Sequence, residues 1–337
     1  MVRIVLFLFS IFSLQTPDIN KPVFTIRGYA QGTSYTITYI KNNEAVTKNQ
    51  VDSILDKIDS SLSLYKSYSI INRFNNSSSG CRADDHFIQV VNKSLETYNE
   101  TGGAFDITIK PLVQAWGFGV KAVDSLPGST VIAAIKQCIG SRFLQVEKDS
   151  VRKDKPCIQI DCNGITQGYS VDVVADFLER NDIENYLVEL GGEIRVKGKN
   201  QSDKTWTIGL EAPVANAYFL PVQRTIRMDA GAITTSGNYR NYFSQNGKKY
   251  SHIINPLTGY PSDNGLVSVT VIAKDAITAD AFDNAFMVMG LERSMEFLAG
   301  KKDVEAFFIY QERNGNQPGG QRIKDTATKG FSKYLTK

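Results

Sequence analysis

The 337-residue chain is poor in the side chains that most often carry metal and redox chemistry, with two histidines, four cysteines, five methionines and two tryptophans. Cys81, Cys138, Cys157 and Cys162 form no CxxC pair and share no metal-like spacing with histidine, which argues against zinc and against a dense disulfide framework. One bridge, Cys157 to Cys162 or another pair, is the expectation if the protein is exported. An excess of one charge is also lacking. Lys plus Arg number 38 and Asp plus Glu 35, leaving +3, and no basic run offers a nucleic-acid surface. Neither a Walker loop nor a Rossmann fingerprint is present, and no internal repeat or linker divides the chain.

The apolar run Ile4 to Leu14, behind Arg3, is too short to span a bilayer and right for the core of an export signal. No cleavage motif stands out between Ser13 and Pro17, and no early Cys offers lipid attachment. The expectation is an export segment over 1–22 and one domain over 23–337. The protein would then be periplasmic, and held at the inner membrane if the segment is retained. A buried first strand is the alternative.

With 42% apolar residues the chain can bury a full core. Alternation predicts strands at Thr33 to Ile40, Phe143 to Glu147, Ile158 to Asp161, Tyr186 to Leu190, Glu193 to Lys197, Thr205 to Glu211, Gln223 to Met228 and Leu266 to Ile272. Helical spacing marks Val46 to Leu64, Phe87 to Thr101, Val131 to Ile139 and Ser170 to Arg180, and the tail from Arg313 onward reads as peripheral. Strand pairs around tight turns, such as Gly191-Gly192, favour an α+β fold of largely antiparallel sheets.

A further helix is predicted after the strand ending at Ile272, and it carries Asp280 and Asn284 four residues apart on one face. Such a pair is either solvated or able to hold one hard cation. Glycine and small hydroxyl residues gather in Gly28 to Thr33, Thr101 to Asp106, Asn163 to Tyr169, Leu190 to Glu193 and Thr234 to Tyr239, where backbone amides can meet phosphate oxygens or simply turn. His252 precedes Asn255-Pro256 and Thr258-Gly-Tyr-Pro261, so a turn should fix it. A histidine held this way suits a proton acceptor or a loop hydrogen bond. His86 lacks comparable surroundings.

These segments, taken in order, resemble the ApbE family of FAD:protein FMN transferases. The resemblance rests on Gly32-Thr33, Leu64-Tyr65, Ser69 to Asn75, Gly102 to Asp106, Pro111-Leu112, Trp116-Gly117, Asp161, Gly164 to Asp172, Leu190 to Gly192, Thr235 to Gly237, His252, Asn255-Pro256, Thr258-Gly259 and Asp280. It implies an exported α+β enzyme that uses Mg and moves the FMN half of FAD onto a Thr or Ser hydroxyl of a partner flavoprotein, releasing AMP. The partner would belong to a membrane redox complex. By the same resemblance His252 is the general base, and Tyr65 stacks on the isoalloxazine. Gly32, Thr33, Phe105, Asp106, Gly164, Gln167, Gly168, Glu193, Ser236 and Gly237 would line the FAD site. Asp280, the Asn284 side chain and the Thr166 carbonyl would hold Mg. The chain departs from the family pattern at Asn284, where Thr is usual, at Gln167, where Lys is usual, and in lacking the lipid-anchor Cys. The rival readings are a metal-dependent FAD pyrophosphatase yielding FMN and AMP, and a non-catalytic periplasmic FAD-binding protein.

Overall fold

The computed structural model describes residues 21–120, 123, 125–212, 222–239, 242–245, 248–313 and 321–336. Apart from its last two residues, the expected export segment lies outside them. No helix among the described residues is long and apolar enough to cross a membrane.

The chain opens with the hairpin β1 (Val23–Ala30) and β2 (Thr33–Ile40), whose turn holds Gln31 and Gly32 at positive φ. Next come α1 (Lys48–Leu62), α2 (Ile70–Asn76), β3 (Gly80–Arg82), α3 (Asp85–Glu100), α4 (Lys110–Ala115) and α5 (Ser129–Lys136). β4 (Leu144–Glu147) and β5 (Ser150–Lys153) join β3 in a small sheet, and α6 (Asn163–Arg180) follows. The strands β6 (Tyr186–Leu190), β7 (Glu193–Lys197), β8 (Trp206–Glu211), β9 (Val222–Met228), β10 (Ala230–Gly237), β11 (Tyr242–Gln245), β12 (Lys248–Ser251) and β13 (Leu266–Ala273) run to α7 (Ala276–Met289). After it come α8 (Leu291–Ala299), β14 (Glu305–Arg313) and β15 (Gln321–Ala327).

Eight strands form one sheet in the order β1-β2-β6-β7-β10-β13-β14-β15, with every pair antiparallel. The α+β expectation is met. Val51 and Leu55 of α1 and Val174 and Leu178 of α6 pack on Ile37, Tyr39 and Val188. Phe282 and Phe286 of α7 pack on Val269, Val271 and Phe308. The other face buries Ile208, Ile226, Ile233, Ile272, Phe307 and Phe331. Each such fully buried side chain contributes roughly 1.5–3 kcal/mol. Covered on both faces, β13 is buried along its whole length. α7 starts where the Asp275 carboxylate accepts the Thr278 N–H at 3.0 Å and stops at Gly290, whose φ of 81° ends the helix.

Two expectations are corrected, and a third, left open between pairs, is narrowed. Ile158 to Asp161 is not a strand, because the Asn75 amide takes over the pairing of Ile160, donating to its carbonyl at 2.9 Å and accepting its N–H at 2.7 Å. The tail is not peripheral: β15 pairs with β14, and Phe331 is fully buried against Phe307. The disulfide joins Cys138 to Cys157, while Cys162 lies reduced in the core, its thiol pushed up by burial. The sequence reading also passed over β1, α2, β3, α4, β5, β10, β11, β12, α8 and β14.

Candidate active site

The site lies where the large sheet is incomplete. β10 pairs with β13 as far as Gly237 but with β7 only from Ala230 to Ile233, so among the described residues Thr234 to Gly237 has no sheet neighbour on the β7 side. Alternation sends Ile233 and Thr235 to one face there and Thr234 and Ser236 to the other. A cavity of about 1100 Å3 takes lining residues from both faces at this free edge. Ile194, Ile208, Leu210, Ile233, Phe307 and Ile309, packed together, give it one apolar wall, and Ile109, Val113, Phe118 and Ile254, of a separate cluster, give another, with Tyr65 and Phe105 also in the lining. The rest of the lining is mostly polar, with Asn163, Gln167, Glu193, Ser268, Thr270, Asp280, Asp283 and Asn284 among it.

Two helices build the acidic part. The segment Gly164 to Gly168, expected as a turn, is the first part of α6, kinked at Gly164. Glycine is needed at 168 because a Cβ there would lie 2.3 Å from the Ala276 carbonyl oxygen of α7. That close approach lets the Gly168 N–H donate to Asp280 Oδ2 at 2.9 Å. Asp280 and Asp283 are 4% and 1% exposed. Burial, with the Asp172 charge adding to it, raises the Asp280 carboxyl to about 7, and burial with the Asp280 charge beside it pushes Asp283 well up.

The Asn284 Nδ2 lies 3.3 Å from the Gly164 carbonyl, 3.1 Å from the Asp280 carbonyl, 3.2 Å from Asp280 Oδ1 and 3.0 Å from Asp283 Oδ1. An amide NH2 has two hydrogens for these four oxygens, so acceptors are in excess. Two desolvated carboxyls, a carbonyl and an amide that can turn its own oxygen inward fit a hard cation such as Mg. No three His, Cys, Asp or Glu side chains form a metal-holding group among the described residues, so water or a ligand's phosphates would complete the shell. Thr166 does not line the cavity, and its carbonyl accepts from Ser170 Oγ at 2.8 Å within α6. The carbonyl facing Asn284 belongs to Gly164.

His252 lines the same cavity, directly after β12. Its loop is braced as the turn residues predict: Asn255 accepts the Gly259 N–H at 2.7 Å and donates its own N–H to Tyr260 at 2.9 Å. Trp116 Nε1 donates to the Gly259 carbonyl at 2.8 Å, and Phe118 meets the imidazole edge-on at 6.3 Å. His86 hydrogen-bonds Tyr169 at 2.7 Å.

Among the other expected residues, Thr33, Tyr65, Phe105, Asp106, Gly164, Gln167, Glu193, Ser236 and Gly237 line the cavity, whereas Gly32 and Gly168 do not. Tyr65 is 72% exposed at the rim. Asp106 turns its carboxylate away to Thr108 Oγ1 and Ser141 Oγ, both at 2.6 Å, so it shapes the loop behind Phe105. Gln167 reaches the Gly191 turn, where a Cβ would lie 3.0 Å from its Nε2. Sequence reasoning missed Asp283, Phe118 and the whole β8 wall. Only Asp283 left a signal, being three residues from Asp280 on a largely apolar helix.

The model of the ApbE family matches residues 31–308. The chain belongs to the ApbE family. It is 37% identical over 319 residues to the FAD:protein FMN transferase of Vibrio cholerae serotype O1, covering 93% of this chain and 92% of that protein. The FAD:protein FMN transferase of Escherichia coli K12 is 37% identical over 298 residues, 86% of this chain and 82% of that one. Solved ApbE structures agree. The flavin transferase ApbE from Vibrio cholerae matches with a TM-score of 0.82 at 34% identity, covering 94% of this chain and 100% of that one. The apo Pseudomonas stutzeri flavinyl transferase ApbE gives 0.82 at 32%, covering 93% and 96%.

Proposed function

We propose that this protein is a Mg-dependent FAD:protein FMN transferase that moves FMN from FAD onto a Thr or Ser hydroxyl of a partner flavoprotein and releases AMP. The observation that carries the reading is that one cavity holds His252, the oxygen-rich Asp280–Asn284 pocket and two separate apolar walls. A dinucleotide with two ring systems joined by a pyrophosphate has that chemistry.

Tyr65 and Phe105 offer ring surface to the isoalloxazine, and the β8 and β14 side chains offer apolar surface to adenine. Asp280, Asn284 and the Gly164 carbonyl would hold Mg, which when bound offsets charge on the pyrophosphate. The acceptor hydroxyl attacks the FMN-side phosphorus while His252 takes its proton. A new P–O bond forms, the pyrophosphate P–O bond breaks, and AMP leaves with the electron pair. Asn284 in place of Thr keeps a neutral oxygen ligand, and Gln167 in place of Lys gives a neutral hydrogen-bonding group beside Gly191.

Incubation with FAD, Mg and an acceptor flavoprotein, followed by protein mass and nucleotide analysis, tests the reading. FMN-modified acceptor with equimolar AMP is expected. Free FMN with unmodified acceptor would replace the reading by FAD hydrolysis, and intact FAD by simple flavin binding. We further propose export to the periplasm, supported by the apolar run Ile4 to Leu14 and by the Cys138–Cys157 disulfide. A mature N-terminus still at Met1 in a cytoplasmic fraction of the native host would overturn it.

A further inference from the structure

The helices α6 and α7 meet through three contacts in strict antiparallel register. Gly164 faces Asn284, Gly168 faces Asp280, and Asp172 faces Ala276, each step moving four residues along both helices. The first two contacts end in the proposed cation pocket. The third lies one helical turn beyond it, and nothing in the proposed chemistry uses it.

Asp172 is a buried carboxylate in that third position. Its Oδ1 accepts the Ala276 N–H at 2.9 Å and its Oδ2 accepts the Ile277 N–H at 2.8 Å. Asp275 takes the next N–H, that of Thr278. The opening N–H groups of α7 are thus closed by two carboxylates, one from within the helix's own entry and one from 104 residues earlier in the chain. Arg195 of β7 donates to Asp172 Oδ1 at 2.9 Å and pairs with Asp176 at 3.0 Å, so the carboxylate is fixed from the sheet as well. A bidentate grip on two successive backbone N–H groups fixes both the height and the rotation of a helix. Asp280 and Asn284 follow at one and two turns along α7, and their oxygens converge only if that rotation holds.

We infer that Asp172 is a positioning residue that sets the register of α7 on α6 and so places the Asp280 and Asn284 oxygens for a divalent cation. This rests on the proposed function insofar as that pocket is taken to hold the cation. Partners that orient metal ligands typically change metal affinity by roughly 10- to 100-fold when removed.

The test reads Mn2+ binding directly, by electron paramagnetic resonance of the full chain with FAD present. Wild type is compared with Asp172→Ala, Asp172→Asn and Asp84→Asn. Asp84 caps α3 by accepting the Phe87 N–H at 2.9 Å, and its Asn variant is the control for neutralising a capping carboxylate elsewhere. The expected result is a rise in the Mn2+ dissociation constant of about 10-fold or more for Asp172→Ala, a smaller rise for Asp172→Asn, which keeps one acceptor oxygen, and no change for Asp84→Asn. If Asp172→Ala fails to fold, judged by circular dichroism, the Asn variant carries the comparison. Wild-type affinity in both Asp172 variants, or an equal loss in Asp84→Asn, overturns the positioning role while leaving the functional reading intact. A wild-type protein that binds no Mn2+ overturns the functional reading itself, and the inference with it.

Discussion

The floor and the rim of the cavity are built on opposite terms. The floor, where α6 meets α7, is closed: Asp280 and Asp283 are almost wholly buried, and Gly168 brings the two helices too close for any larger residue. The rim is open, with Tyr65 largely exposed and His252 on a loop held by turns and by Trp116. A floor of this kind is preorganised for groups whose position must not vary, such as a cation and a pyrophosphate. On the proposed function, an exposed ring and a half-buried imidazole suit a reactant that must arrive and leave as part of another protein. Binding and chemistry are therefore separable by mutation, which makes the comparison testable.

The largest effect is expected at the floor. Asp280→Ala should lower FMN transfer by about 10³-fold or more, since a bound metal contributes several kcal/mol to charge stabilisation. Excess Mg should not restore it. Transfer measured across a Mg titration checks this, and an unchanged Mg requirement would move the cation elsewhere. At the rim, His252→Ala should slow transfer by about 10²-fold or more while calorimetric FAD affinity stays near that of the parent. Parental turnover in this variant would make the histidine a loop residue and erase the division of labour.

Next in size is the pH response of the floor. Burial holds Asp172 at about 6 and Asp280 at about 7, above the ordinary 3.8. Between the two states' values the folded protein keeps protons that the unfolded chain has released, so metal-free stability is greatest at low pH and falls as pH rises from about 4 through 7. The metal-free melting temperature should therefore be lower at pH 8 than at pH 5, and Mg should raise it at pH 8. A melting temperature that climbs over this range without metal would contradict the buried-acid floor. The smallest effect belongs to Tyr65→Ala, expected to weaken FAD binding by about 1 kcal/mol, the scale of one aromatic stack. Calorimetry showing no loss would remove the flavin ring from the rim.

Much of this division was legible before the fold was known, but unevenly. His252 and Asp280 stood out because each brings uncommon chemistry to a segment with a clear local signal, a proline-glycine turn in one case and an apolar helix in the other. The resemblance pointed to the Thr166 carbonyl as a Mg ligand, whereas the α6 carbonyl that faces Asn284 is that of Gly164; the glycine-rich stretch reads as a turn in the sequence, and its place in α6 shows only beside α7. The apolar walls were invisible for a different reason. Ile208 alternates as core strand residues do and Phe307 sits in a continuous buried run, so neither stands out from the core, and the cavity they line shows only in the fold, beside the shortened pairing between β7 and β10. The disulfide partner of Cys157 was equally hidden, since spacing alone cannot tell which thiols a fold brings together.

The lining of the cavity runs from Thr33 to Ile309, drawn from strands whose neighbours in the sheet are far apart in the chain. No fragment of the polypeptide holds enough of it to grip a ligand. On the proposed function, FAD and a cation would then act by mass action on the completed fold alone, adding about 2.7 kcal/mol to its stability when free ligand stands at 100 times its dissociation constant. Limited proteolysis should register this as slower digestion in the presence of FAD and Mg. Were the proposed ligands scarce, the same linkage would leave more of the protein unfolded and open to proteolysis, which tracks the population of the open form.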